Sequence, residues 1–229
     1  RDGRTWITKI TPEGEAEASA DFYSSVMSYR QNPKLSFVEG VLTAAGFMKQ
    51  AEKAISKIRS GKIQKVVLAR DIMAQLPDGF DIRTPLVSLA KKYPSCWVYQ
   101  VAGNFGASPE LLVRVSHGQV SARVLAGTTS RGENSEADVA KSNALAASEK
   151  NLQEHRFAVE SMVDALTPFC STVDTDEKPF SLALPDLWHL ASDVYGKLKN
   201  NISVLDLAAF LHPTAAVAGT ARADAQALI

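Results

Sequence analysis

Lys65 stands among Ile63, Val66, Val67 and Leu68, so its amine is set in apolar, β-branched surroundings. Desolvation disfavours an ammonium, and a lysine shifted from about 10.4 toward about 7 to 8 can act as a general base at neutral pH. The same position suits a strand-end lysine whose stem packs while its head reaches water. Glu110 follows Phe105-Gly106-Ala107 and Ser108-Pro109, a tight small-residue turn before the apolar strand Leu111 to Val115. Small residues admit a ligand, and a carboxyl against apolar walls has a raised pKa suited to donating a proton. A loop glutamate that caps a backbone amide is the plainer reading.

Leu125-Ala126-Gly127-Thr128-Thr129 ends a strand in a glycine and two hydroxyls, followed by Arg131-Gly132. Backbone amides exposed at such a turn can hold a carboxylate. An ordinary glycine-containing strand exit fits equally. Glu149, Asn151, Glu154 and His155 fall within two turns of one helical pattern. Glu154 is a candidate oxygen ligand for a hard cation, because Mg²⁺ sites often use one carboxylate with substrate oxygens. A solvated helix glutamate is the alternative. His189 and His212, taken singly, read as satisfied core histidines, and Cys96 and Cys170 as buried thiols outside any zinc spacing.

The elements that must position these groups follow from periodicity. Phe47, Ala51, Ala54, Ile55 and Ile58 recur at helical spacing up to Gly61. Ile63 to Ala74 is nearly continuously apolar, which predicts a strand buried on both faces. Pro77-Asp78-Gly79 is a turn, Pro85 to Lys92 a short helix and Cys96 to Val101 a strand. Leu111 to Val115 and Gln119 to Leu125 flank His117-Gly118 as a hairpin. Ser135 to about Leu166 is helical with a break near Ser148. Lys178 to Leu184 and Leu187 to Val194 read as strands, Ser203 to Phe210 as a helix, and the chain from Thr214 is weakly patterned. The fold class expected is mixed α/β (α+β), with sheets packed on each other and helices outside.

The chain has 229 residues, 45% of them hydrophobic, enough to bury one large core or two modest ones. Lys plus Arg and Asp plus Glu number 25 each, so no basic stripe points to nucleic acid or an anionic membrane surface. No apolar run reaches the roughly 20 residues of a membrane span, and Arg1 to Lys9 lacks a signal-like apolar stretch. The expectation is a cytoplasmic protein, monomeric, with a small-molecule partner.

Read together, Lys65 to Arg70, Phe105 to Leu112, Leu125 to Thr128, Glu149-Lys150 with Glu154-His155, Trp188-His189-Leu190 and His212-Pro213-Thr214 resemble the chorismate-utilising enzymes, in that family's order. The resemblance implies one chorismate-binding catalytic domain over residues 1–229, incomplete at the C-terminus and at the N-terminus. It implies chorismate as substrate and Mg²⁺ as cofactor. A lysine at position 65, where ammonia-using members carry glutamine, implies water as the nucleophile. Ala126, where aminodeoxychorismate synthases carry lysine, disfavours that branch. The resemblance is strongest to isochorismate synthases of the menaquinone or siderophore type, with salicylate synthase or an inactive binding module of the same fold as alternatives.

The resemblance also assigns roles. Lys65 would activate water attacking ring carbon 2, and Glu110 would protonate the hydroxyl leaving carbon 4. Glu154 would hold Mg²⁺, while Ala126, Gly127 and Thr128 would position a substrate carboxylate and His189 would line the ring pocket. Asn151 departs from the family's usual acidic residue, and Ala215 from its usual proline. The family's pattern continues with a glycine-rich segment carrying a further metal-binding glutamate, so Glu154 alone is expected to hold Mg²⁺ poorly.

Overall fold

The computed structural model describes residues 34–229. Its centre is an antiparallel sheet ordered β6-β7-β10-β8, with β9 pairing the near end of β10. The two long members are β7 (Gln119–Ser130) and β10 (Leu187–Leu198), flanked by β6 (Leu111–Ser116), β8 (Cys170–Thr175) and β9 (Phe180–Ala183). Strands β6 and β7 form the expected hairpin. His117 and Gly118 both take positive φ, the conformation a tight two-residue hairpin turn requires.

Alternation along β7 and β10 turns Val120, Ala122, Val124 and Val194 to one face, where they pack against Ala158, Met162 and Leu166 of α4 (Glu149–Leu166) and Leu207 and Leu211 of α5 (Val204–Leu211). His155, Ala158, Met162 and Leu166 form the buried stripe of α4, at the spacing one helix face provides. The helical stretch breaks at Ser148, as its sequence implies. This residue ends α3 (Ser135–Ala147), and its side chain accepts the Asn151 N–H at the start of α4.

Outside this layer lie α1 (Ala44–Arg59), α2 (Arg83–Lys92) and three two-stranded pairs. β1 (Phe37–Glu39) pairs β3 (Ile72–Ala74), β4 (Trp97–Val101) pairs β5 (Asn104–Ser108), and β2 (Lys65–Val66) pairs β11 (Gly219–Thr220). A short α6 (Arg222–Gln226) follows β11. The architecture is mixed α/β, as expected.

Four local expectations are corrected. Ile63 to Ala74 is two short strands rather than one strand buried on both faces, because its ends pair with different partners, and Ile72 and Met73 are exposed. Asp71 between them accepts the Val41 and Leu42 amides. Phe105-Gly106-Ala107 is part of β5, not a turn, and the space a Cβ on Gly106 would fill is held by the Tyr99 ring. β8, which no apolar pattern in the sequence marks, is an edge strand of mostly exposed polar residues. Cys96 is half-buried, unlike Cys170.

Candidate active site

Lys65 enters the site from β2, held in register by pairing with Thr220 of β11. It is only 9% exposed, so the alternative of a lysine head in open water does not hold. Its Nζ donates to the Ala215 carbonyl at 2.9 Å and lies 3.7 Å from Glu154 Oε1. Burial pushes this ammonium below the ordinary lysine range, and the opposing pull of Glu154, with a weaker one from Glu110, does not restore it.

Glu110 sits in the connection between β5 and β6. Its pKa is pushed up to about 6 by burial, while a hydrogen bond from the Leu125 amide and the charge of Lys65 pull the other way. Both readings of Glu110 therefore hold at once, since it receives a backbone amide and is also desolvated. The Ser108 hydroxyl accepts the Glu110 amide at 3.3 Å, which fixes the turn that delivers the carboxyl. Lys65 and Glu110 thus face one another electrostatically although the chain separates them widely.

Leu125, Ala126 and Gly127 are buried within β7, and the strand runs on to Ser130. The expected strand exit is instead an irregularity inside a strand: His189 pairs with Thr128 and Ala191 with Leu125, leaving Leu190 opposite both Ala126 and Gly127. Gly127 has φ +82°, and a Cβ there would lie 3.2 Å from Asn151 Cβ and 3.3 Å from Leu190 Cδ1. Thr128, which is exposed, shares a hydrogen bond of 2.8 Å between its hydroxyl and His189 Nδ1. Burial lowers the His189 pKa against a hydrogen bond with the Gly127 backbone. His189 is half-buried beside the strand irregularity, whereas His212 is exposed and is not the core histidine its sequence suggested.

Sequence pattern alone does not single out His155, yet it is 2% exposed and makes two hydrogen bonds: Nδ1 with the Ala126 carbonyl at 3.1 Å and Nε2 with Ser192 Oγ at 2.9 Å. A carbonyl only accepts, so Nδ1 carries the proton. Burial lowers the ring's pKa, so Nε2 accepts from the Ser192 hydroxyl. The only signal in the sequence is general, since a histidine on the apolar stripe of a helix needs polar partners across the interface.

Glu154, one residue earlier on α4, is turned off the buried stripe and keeps its side chain 35% exposed. Lys65 and Glu154 line a cleft of about 620 Å³ together with Phe47 and Ile55 of α1, Leu68 and Phe157. A second cleft of about 660 Å³ lies on the sheet face opposite α4, between Trp97, Pro109, Leu111 and Arg123. Pro109 and Leu111 line that space, whereas Glu110 between them is directed to the Leu125 amide and the charge of Lys65. Among the described residues no three His, Cys, Asp or Glu side chains are grouped to hold a metal ion. Glu154 fits a hard cation as one ligand of a set completed by other oxygens, the usual arrangement for Mg²⁺.

The chain is similar to known proteins in sequence and in fold. Residues 5–229 match the family model described as chorismate binding enzyme. The chain is 33% identical to isochorismate synthase DhbC of Bacillus subtilis over 181 residues, covering 74% of this chain and 46% of that protein. It is 30% identical to isochorismate synthase EntC of Escherichia coli, covering 86% of this chain and 52% of that protein. The solved structure of the menaquinone-specific isochorismate synthase MenF from Escherichia coli superposes with a TM-score of 0.76 at 25% identity, over 89% of this chain and 49% of that one. The chain thus spans about half the length of the relatives it matches. No helix among the described residues is long and apolar enough to cross a membrane. On the family match and the fold together, this chain belongs to the chorismate-binding enzymes.

Proposed function

We propose that the protein is an isochorismate synthase, an isomerase that adds water at ring carbon 2 of chorismate and expels the hydroxyl from carbon 4. The observation that carries this reading is the convergence of a buried lysine with a depressed pKa and a half-buried carboxyl with a raised one. Two titratable groups whose environments push them in opposite directions make an acid–base pair. Lys65, when neutral, accepts a proton from the attacking water, and Glu110, when protonated, gives one to the departing hydroxyl. The net change is migration of a hydroxyl with no oxidation, so the two groups suffice for the proton accounting.

The remaining assignments follow the same reading. Ala126, Gly127 and Thr128 bracket a carboxylate of the substrate, and His189, fixed by Thr128, lines the wall against the ring. Glu154 would be one oxygen ligand of Mg²⁺, the cofactor of this reading, which when bound would compensate carboxylate charge. Glu154, already beside Lys65, would then serve both the amine and the cation. The relatives' names and the cleft beside Lys65 support a small-molecule partner, chorismate. The protein acts in the cytoplasm as a monomer.

Product analysis tests the reading. Full-length protein given chorismate and Mg²⁺ should yield isochorismate. Salicylate with pyruvate, or no turnover, would refute it.

A further inference from the structure

The ladder between β7 and β10 is interrupted where Leu190 alone faces Ala126 and Gly127. Two residues opposite one form a β-bulge, and Gly127, the second of them, has a left-handed φ of +82°. A bulge withdraws backbone groups from the ladder, and a buried carbonyl then needs another donor. The Ala126 carbonyl finds one in His155 Nδ1 on α4, at 3.1 Å. The other ring nitrogen is tied at 2.9 Å to Ser192, which sits on β10 just beyond the bulge and is itself 2% exposed. One side chain therefore links both strands across their irregularity. The same turn of α4 presents Glu154 to Lys65.

We propose that His155 and Ser192 are positioning residues that hold the Ala126-Gly127-Thr128 bulge in the shape that receives a substrate carboxylate. The proposal rests on the reading above that this segment binds substrate. Neither residue touches the reacting atoms, and both act through the backbone of Ala126. Binding therefore suffers before chemistry when the link is cut, because a loosened bulge offers its amides and the Thr128 hydroxyl in many arrangements instead of one.

Substitutions that each keep one half of the ring's hydrogen bonding test this. His155→Asn retains a donor near the Nδ1 position, whereas His155→Gln reaches toward Ser192 and abandons the Ala126 carbonyl. In the full-length protein, His155→Gln is expected to raise the chorismate KM roughly ten-fold with kcat little changed, the pattern of lost uniform binding. His155→Asn is expected to recover most of that loss, and Ser192→Ala to give a smaller rise. Equal KM values in the Gln and Asn variants, or a loss confined to kcat, would overturn the proposal. Amide hydrogen exchange at Gly127 and Thr128 without substrate gives a reading independent of turnover. It should quicken in His155→Gln and stay near wild type in His155→Asn, and unchanged exchange in His155→Gln would also overturn the link. A wild-type protein that does not turn over chorismate, but whose exchange responds in this way, would fault the functional reading and leave the mechanical link standing.

Discussion

Lys65 Nζ lies 3.7 Å from Glu154 Oε1, yet burial outweighs the attraction and the ammonium is held below the ordinary lysine range. An ion pair would ordinarily stabilise the charged form. Here it keeps the amine in place while desolvation makes the proton easier to lose, which is the condition a general base needs.

Lys65→Gln should therefore abolish turnover and spare the fold. A positioned general base contributes about 10²- to 10⁴-fold, so kcat should fall by that much. Glu154, freed from its partner, is exposed enough to be solvated. Steady-state kinetics beside a thermal melt would check both halves, and near-normal turnover would remove Lys65 from the mechanism.

Glu110→Gln should stop departure of the hydroxyl, since an amide is a far weaker acid than a carboxyl. The same variant carries a prediction about stability. The folded-state pKa of about 6 lies above the ordinary glutamate value of 4.5, so the folded protein binds the proton more tightly than the unfolded chain does. The stabilisation from that proton is fully present below about pH 4.5 and is lost as pH rises through about 6. Between pH 4 and pH 7.5 wild type should thus lose about 2 kcal/mol relative to Glu110→Gln, at 1.36 kcal/mol per pKa unit. Urea unfolding at the two pH values measures the difference, and parallel stability curves would mean that Glu110 is not desolvated.

Gly127→Ala should cost stability and substrate affinity together. An alanine at φ +82° is strained, and its Cβ would press on Asn151 and Leu190. The expected loss is about 1–3 kcal/mol for a residue forced into a sparsely populated backbone region. A matching rise in the chorismate KM would show that the bulge is where substrate sits, and a destabilised variant with unchanged KM would argue against it.

Glu154→Gln should raise the Mg²⁺ concentration needed for half-maximal activity by roughly ten-fold or more, about 1.4 kcal/mol for one lost contact between cation and carboxylate. Titrating Mg²⁺ at saturating chorismate checks this. An unchanged Mg²⁺ requirement would confine Glu154 to its contact with Lys65.

Much of this arrangement was legible in the sequence. The paired long helices with their break at Ser148, the hairpin at His117-Gly118 and the strand carrying His189 follow from periodicity and turn chemistry, which are local. The grouping of Lys65, Glu110 and Leu125 to Gly127 came only from the resemblance, because no local pattern tells which distant segments meet. The split of Ile63 to Ala74 was hidden for the same reason: an apolar run states that burial is wanted but not which partner pairs with each end. Gly127 read as a strand exit because a bulge shows itself only in register against β10. His155 is not marked by local pattern, since its significance lies in the Ala126 carbonyl and Ser192, both remote in the chain.

The central claim, that this site adds water to chorismate at one ring carbon and removes a hydroxyl from another, is tested most directly by an oxygen label. The full-length protein would convert chorismate in ¹⁸O-enriched water with Mg²⁺, and the product would be resolved by chromatography and mass spectrometry. Isochorismate carrying the label in its carbon-2 hydroxyl is expected, with the carbon-4 oxygen lost to solvent. Isochorismate without label, or an aromatic product with pyruvate, would contradict it.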